Sequence, residues 1–312
     1  MNIGIIGSDY SINRHIISLK KINGINITGL YQSGKQHKDC FDFYNIPFYR
    51  SPDQLIDDTD SLIVSDQNGC FNSRIVINAL RRGRHIFLYP QIVRSVNEAV
   101  QLTKLACEAN VVLRVGNIGL MNMSSLLNLA HDISGLSFID IHYNKVYVKS
   151  FNSNPIFEAL LIISQAVSTL VKSQLHSVKA KGLPTASDKP DIVNARLEFN
   201  NGCLVNINCN IVAATDDFKG LMIIKDTCIS FDLIRKKFTS WNIQHVKNDF
   251  SEPTTIKSAE TENNDLLLEE LKGFVTSAAA VPEYHAANDF GFEPFILTER
   301  ILDKVRKVDH AV

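Results

Sequence analysis

Met1-Asn2-Ile3-Gly4-Ile5-Ile6-Gly7-Ser8-Asp9-Tyr10-Ser11-Ile12-Asn13-Arg14-His15 opens the chain. The short apolar run predicts a strand buried on both faces, and the spacing after Gly7 predicts a tight turn and a helix. In the frame G-x-G-x-x-G laid from Gly7, glycine is required at positions 9 and 12, where the sequence has Asp9 and Ile12. That frame brings bare backbone N–H groups against a pyrophosphate at a helix N-terminus. A carboxylate ~5 Å from a phosphate charge, at an effective dielectric of ~20, costs about 3 kcal/mol, roughly a hundredfold in affinity. Ile12 stands where the third glycine permits close packing of helix on strand. Asp9 or Ser11 is expected to cap the helix, accepting from the N–H groups a phosphate would use.

Strand and helix patterns alternate outward from this turn. Strands are expected at 2–6, 25–31, 46–49, 61–65, 85–88 and 111–115, and helices at 12–21, 38–44, 52–56, 73–82 and 95–109. Gly83 is the expected C-cap of one helix, and Ser95 with Glu98 forms a capping-box pattern at the start of another. Six such units joined by short connections predict a doubly wound parallel sheet, a Rossmann-type domain over residues 1–117. After Asn117 the pattern changes. Helices are expected at 124–133 and 155–171, and strands at 137–149, 176–181, 191–199, 203–212, 220–224, 228–232 and 237–242. Asn200-Asn201-Gly202 is a hairpin signal between two of these strands. Residues 118–312 thus read as an α+β domain with a mostly antiparallel sheet. A polar loop is expected at 244–263 and closing helices at 265–277 and 294–307, the last packing back on the first domain.

Length and composition agree with two globular domains. The chain has 312 residues, 45% of them hydrophobic and 21% charged, with a net charge of −1. No block of like charge points to nucleic acid or to a membrane surface. The run Arg81-Arg82-Gly83-Arg84 matches the negative end of a helix dipole. No stretch approaches the ~18 apolar residues of a membrane span. The six cysteines are scattered without C-x-x-C or zinc spacing, and read as buried thiols of a reducing, cytoplasmic compartment. The histidines show no H-x-x-x-H or H-E-x-x-H spacing, so no metal centre is expected.

Ala79-Leu80-Arg81-Arg82-Gly83-Arg84-His85-Ile86-Phe87-Leu88-Tyr89-Pro90 is similar to a stretch A-L-x-x-G-K-H-V-x-x-E-K-P. Val111 to Asn117, followed by Asn122, is similar to V-x-L-x-V-G-x-x-x-R-F-x. Asn68 after the fourth buried strand matches T-P-N, and Leu197-Glu198-Phe199-Asn200-Asn201-Gly202 matches L-x-F-x-N-G. With these segments in this order, the whole chain resembles the glucose-fructose oxidoreductase / inositol dehydrogenase / MocA family. The resemblance implies a nicotinamide cofactor, NAD or NADP, and a sugar-like or other small substrate. It also implies homo-oligomers formed through the second-domain sheet, where Leu204, Asn206, Asn208 and Asn210 alternate with Val205, Ile207, Cys209 and Ile211.

Carried over residue by residue, the family's cofactor positions fall on Gly7, Asp9, Ser11, Gln32, Ser33, Asp66, Asn68 and Tyr89. Several depart from the family. The ribose-binding acid at the end of the second strand is absent from Leu30-Tyr31-Gln32-Ser33. The lysine of E-K-P is Tyr89. The helix that carries the family's Asp and His here has Glu158 as its only acid and no histidine. Tyr89 as a proton donor and Glu158 as a remnant acid are the catalytic candidates. The bland readings are packing for Tyr89 and a surface helix acid for Glu158. His142 and Lys145, on the alternating strand, read as a solvated face rather than ligand contacts.

Taken together, these losses give the expectation of a divergent homologue without classical hydride transfer. Such a protein would bind a small molecule or partner in the family's cleft, with NAD or NADP if any cofactor and with none as the other case. The alternatives are an NAD(P)-dependent oxidoreductase with a rearranged site using Tyr89, and a non-catalytic subunit of an oligomer.

Overall fold

The computed structural model describes residues 1–32, 44–65, 73–89, 92–93, 95–116, 126, 130, 132–146, 154–186, 188–242, 257–258, 266–280 and 293–308. By its internal contacts the chain divides into two units, one of residues 1–118 and 265–292, the other of 119–264 and 293–312.

The first unit is built on five parallel strands: β1 (Asn2–Gly7), β2 (Asn26–Tyr31), β3 (Ser61–Ser65), β4 (His85–Leu88) and β5 (Leu113–Val115), in the order β2-β1-β3-β4-β5. The expected strand at 46–49 is not a full strand. It is reduced to a single parallel bridge, Leu30 to Phe48, on the outer edge of β2. That bridge holds the place of a sixth strand, so the doubly wound order is kept with its third position shortened. Around the sheet lie α1 (Asp9–Leu19), α2 (Pro52–Asp57), α3 (Ser73–Arg81) and α4 (Val96–Glu108). The boundaries follow their caps. Gly83 takes φ 71° after α3, a left-handed position that suits glycine. Ser95 Oγ accepts the Glu98 N–H at 3.2 Å at the start of α4. Arg82, at the end of α3, pairs with Asp53 at 3.0 Å and Asp57 at 2.9 Å on α2.

A later helix, α6 (Leu266–Ala279), belongs to this unit and packs on α1 and β4. Its Phe274 meets the Phe87 ring edge-on, centroids 5.7 Å apart.

The second unit carries an eight-stranded sheet in the order β13-β12-β11-β10-β6-β9-β8-β7. Its strands are β6 (Leu136–Val146), β7 (Leu175–Leu183), β8 (Ile192–Phe199), β9 (Leu204–Ala213), β10 (Asp217–Ile224), β11 (Thr227–Asp232), β12 (Lys237–Asn242) and β13 (Lys257–Ser258). All pairs are antiparallel except β6 with β9. The short β13 lies inside the stretch read as loop. Its long helices among the described residues are α5 (Pro155–Leu170) and α7 (Glu293–Val308). The final helix α7 packs on α5 and β7, in the second unit, and it is α6 that returns to the first.

Alternation decides the sheet's two faces. Val205, Ile207, Cys209 and Ile211 are buried, with α5 packed on β9, while Leu204, Asn206, Asn208 and Asn210 stay half-exposed on the other face. Burial pushes the Cys209 thiol up to about 12 and the Cys203 thiol up to about 11, which leaves both unreactive. Cys107 corrects the reading of uniformly buried thiols, since it is exposed on α4.

Candidate functional site

The first-domain candidates converge where the C-terminal ends of β1, β3 and β4 meet the start of α1. Ser8 is the N-cap of α1, and Asp9 is its first residue. The Asp9 side chain lies outside the described residues, as do Ser33, Asp66 and Asn68.

Ser11 organises the turn. Its Oγ accepts the Ser8 N–H at 3.0 Å and donates within reach of two carbonyls, Ser8 at 2.9 Å and Ser65 at 3.2 Å. The cap residue is thus Ser8 rather than Asp9 or Ser11, and Ser11 takes the reciprocal third position of a capping box by holding the Ser8 N–H. The Ser8 amide, one of the turn N–H groups a phosphate would use, is already taken.

Gly7 is required by the protein's own atoms. A Cβ there would lie 2.5 Å from the Ser65 carbonyl oxygen, 2.6 Å from Ser11 Oγ and 2.7 Å from Ser65 Oγ. The one glycine kept is the one that the packing of β1 against β3 demands. Ile12, at the third glycine position, is fully buried as part of the apolar stripe of α1. Gln32 follows β2 and is also buried.

Tyr89 follows β4 and is only 2% exposed. Its partner, His15, was not among the residues singled out from sequence. His15 is 0% exposed and presents Nε2 to the Tyr89 hydroxyl at 3.3 Å, the rings edge-on with centroids 5.4 Å apart. The other ring nitrogen, Nδ1, lies 2.6 Å from the Ser11 carbonyl. A carbonyl only accepts, so Nδ1 carries the hydrogen and Nε2 presents a lone pair. Tyr89 therefore donates its single proton inward to His15. Burial, the largest cause, lowers the His15 pKa to about 4, against the Ser11 hydrogen bond and with help from Arg14. The signal for His15 was its place at 15 on the face that carries Ile12, Ile16 and Leu19.

Glu158 belongs to the other unit, in the first turn of α5. Asn154 caps that helix, and its carbonyl accepts the Glu158 N–H at 3.0 Å. The Glu158 charge, after burial, Cys209 and Asp216, helps raise the pKa of Tyr143 on β6. The buried face of α5 is otherwise apolar apart from Ser164 and Gln165. His142 pairs with Asp140 at 2.9 Å and Lys145 with Asp216 at 3.1 Å, as expected of a solvated strand face. Among the described residues no cluster of three or more His, Cys, Asp or Glu could hold a metal. No helix among them is long and apolar enough to cross a membrane.

The family's cofactor-holding groups do not fit this turn. Ser11 fills the Ser8 amide, Ile12 fills the third glycine position, and the residue in place of the family's lysine turns into the core.

Residues 1–117 match the sequence profile described as "Oxidoreductase family, NAD-binding Rossmann fold". No curated protein sequence matches the chain closely enough to count as a relative. Solved structures share its fold at low identity. UDP-N-acetylglucosamine 3-dehydrogenase GnnA from Acidithiobacillus ferrooxidans is 15% identical with a TM-score of 0.80, the match covering 98% of each chain. Levoglucosan dehydrogenase, in complex with NADH and L-sorbose, is 13% identical with a TM-score of 0.76, covering 98% of this chain and 97% of that one. GenD2 from gentamicin A biosynthesis, in complex with NAD, is 14% identical with a TM-score of 0.74, covering 99% and 95%. Residues 1–117 therefore match the oxidoreductase family's NAD-binding Rossmann domain, and over nearly its whole length the chain shares the fold of these dehydrogenases.

Proposed function

We propose that this protein keeps the family's fold without classical NAD(P)-dependent hydride transfer, and acts by binding a small molecule or a partner. The observation that carries this reading is the Tyr89–His15 hydrogen bond at 3.3 Å. It commits the group standing in place of the family's lysine to the interior. The filled Ser8 amide supports the same reading. The His15 proton on Nδ1 goes to a backbone carbonyl, so the pair is no relay that could return a proton to a substrate.

The second reading is an NAD(P)-dependent oxidoreductase with a rearranged site using Tyr89. Ser65 favours it. Its hydroxyl is buried beside Gly7 and has no hydrogen-bond partner among the described residues, and such an orphan is normally satisfied by a bound group or a water.

Titration of NADH and NADPH against the purified chain separates the two. Binding tighter than ~100 μM, ordinary for a working nicotinamide site, would sink the first reading.

Self-association through the open face of the second-unit sheet is proposed alongside. Eight strands at ~4.8 Å spacing and ~23 Å length give roughly 900 Å² per copy, near the ~800 Å² per partner of a standard interface. The third reading, a subunit that pairs with an active homologue, would use the same face.

A further inference from the structure

A cavity of about 370 Å³ lies within the second unit, inside the size range of small-molecule sites. The apolar part of its wall is made by Val171 after α5, Leu175 opening β7, Phe199 closing β8 and Leu297 on α7, with Ser168, Ser173 and Gln174 as polar neighbours. On the α7 side the lining is one stripe, Glu293, Ile296, Leu297 and Arg300. That spacing of i, i+3, i+4 and i+7 is one helix face.

Three features ask for a ligand. Ile296 at the rim is 42% exposed while Leu297 beside it is buried, so a branched apolar side chain stands uncovered at the mouth. Glu293 and Arg300 sit at the two ends of the stripe, about 10 Å apart along the helix axis. Neither has an ion pair or hydrogen bond among the described residues. Finally, the frame is already ordered. Thr298 Oγ1 on α7 donates to the Pro294 carbonyl at 2.7 Å and accepts from Ser164 Oγ on α5 at 2.9 Å in the interior. On the opposite rim, Ser173 Oγ accepts the Asn201 N–H at 3.1 Å, and the Gln174 carbonyl accepts the Asn200 N–H at 2.9 Å. A preformed rim loses little freedom on binding.

We propose that this cavity binds a small zwitterion with an apolar body, the size of a dipeptide, its carboxylate on Arg300 and its ammonium on Glu293. The guanidinium fork matches a carboxylate. A dipeptide spans about 7 Å, and the two long side chains close the remaining gap. A single amino acid is too short to meet both charges, and an apolar acid leaves Glu293 unmatched. The site is independent of the nicotinamide question and does not rest on the reading above.

The test is calorimetry on the full chain with Leu-Leu, N-acetyl-Leu-Leu and Leu-Leu amide. Leu-Leu is expected to saturate one site at millimolar concentration or below. Removing either terminal charge should weaken it about tenfold, the scale of one charge-assisted hydrogen bond. In Arg300→Ala, Leu-Leu should weaken by a similar factor and amidation should make no further difference. Glu293→Ala should do the same for acetylation. Both residues are exposed, and thermal unfolding checks each variant. Should a variant not fold, the comparison of the three peptides on the unaltered chain decides alone. No saturation by about 10 mM Leu-Leu, equal binding of all three peptides, or unchanged binding in a folded Arg300→Ala would overturn the proposal.

Discussion

The Tyr89 hydroxyl donates to Nε2 of His15 across 3.3 Å, joining the end of β4 to the buried face of α1. Because His15 in turn donates from Nδ1 to the Ser11 carbonyl at 2.6 Å, one chain of hydrogen bonds runs from the residue after β4 to the turn after β1. The pair is part of the interior, and its removal should register as stability. Tyr89→Phe leaves His15 Nε2 without its partner and should destabilise the fold by about 1–3 kcal/mol. Urea unfolding measures this. A variant as stable as the parent would mean that the bond contributes nothing to the fold.

The buried His15 makes a pH prediction of definite sign. Its folded pKa, about 4, lies below the ordinary value of 6.5, so the native state binds fewer protons than the unfolded one between them. The stability contributed by neutral His15 is fully present above the unfolded value and is lost as pH falls from about 6.5 to about 4, by on the order of 3 kcal/mol. Unfolding free energies measured at intervals down to pH 4 should show this slope. His15→Gln should flatten it; an unchanged slope in that variant would assign it to other groups.

Gly7 and Ile12 should both be structural, in opposite senses. Gly7→Ala drives a methyl to 2.5 Å from the Ser65 carbonyl oxygen and should cost about 1–3 kcal/mol by overpacking. Ile12→Ala leaves a cavity beneath α1 and should cost about 2–5 kcal/mol. Thermal unfolding of the two variants tests both. The double change Asp9→Gly, Ile12→Gly asks a different question. Restored NADH binding in that variant would identify the turn as the sole obstacle to the cofactor.

The open sheet face should respond to charge. Asn206 lies on that face opposite Asp140 in β6 and Arg196 in β8. If copies associate there, Asn206→Arg should shift a dimer to monomer in sedimentation velocity while leaving the melting temperature within a few degrees. A stable monomer for the parent chain would end the proposal.

Much of this molecule is written in local pattern. The apolar run at Ile3–Ile6, the Ser95 cap with Glu98, the turn at Asn200-Asn201-Gly202 and the alternation along β9 each depend on neighbours within a few residues, and each predicted its element. The strand at 46–49 failed because a strand also needs a long-range partner along its length, and among the described residues Phe48 bridges to Leu30 alone. β13 was missed for the converse reason. Its two residues are paired by β12 and carry no pattern of their own.

The site was legible in what it lacked. Asp9, Ile12, Tyr89 and the helix without Asp and His are all departures visible in the chain itself. What the sequence by itself determined is the pair of domain types, the order of their elements and the loss of the glycine frame, because periodicity and motif spacing are properties of adjacent residues. Only the tertiary structure decided where the replacements point. His15 and Tyr89 are 74 positions apart, Ser11 and Ser65 are 54 apart, and α6 rather than α7 returns to the first unit. Such contacts arise when separate elements bury their apolar faces together and each buried polar group must find a partner among whatever the fold brings near.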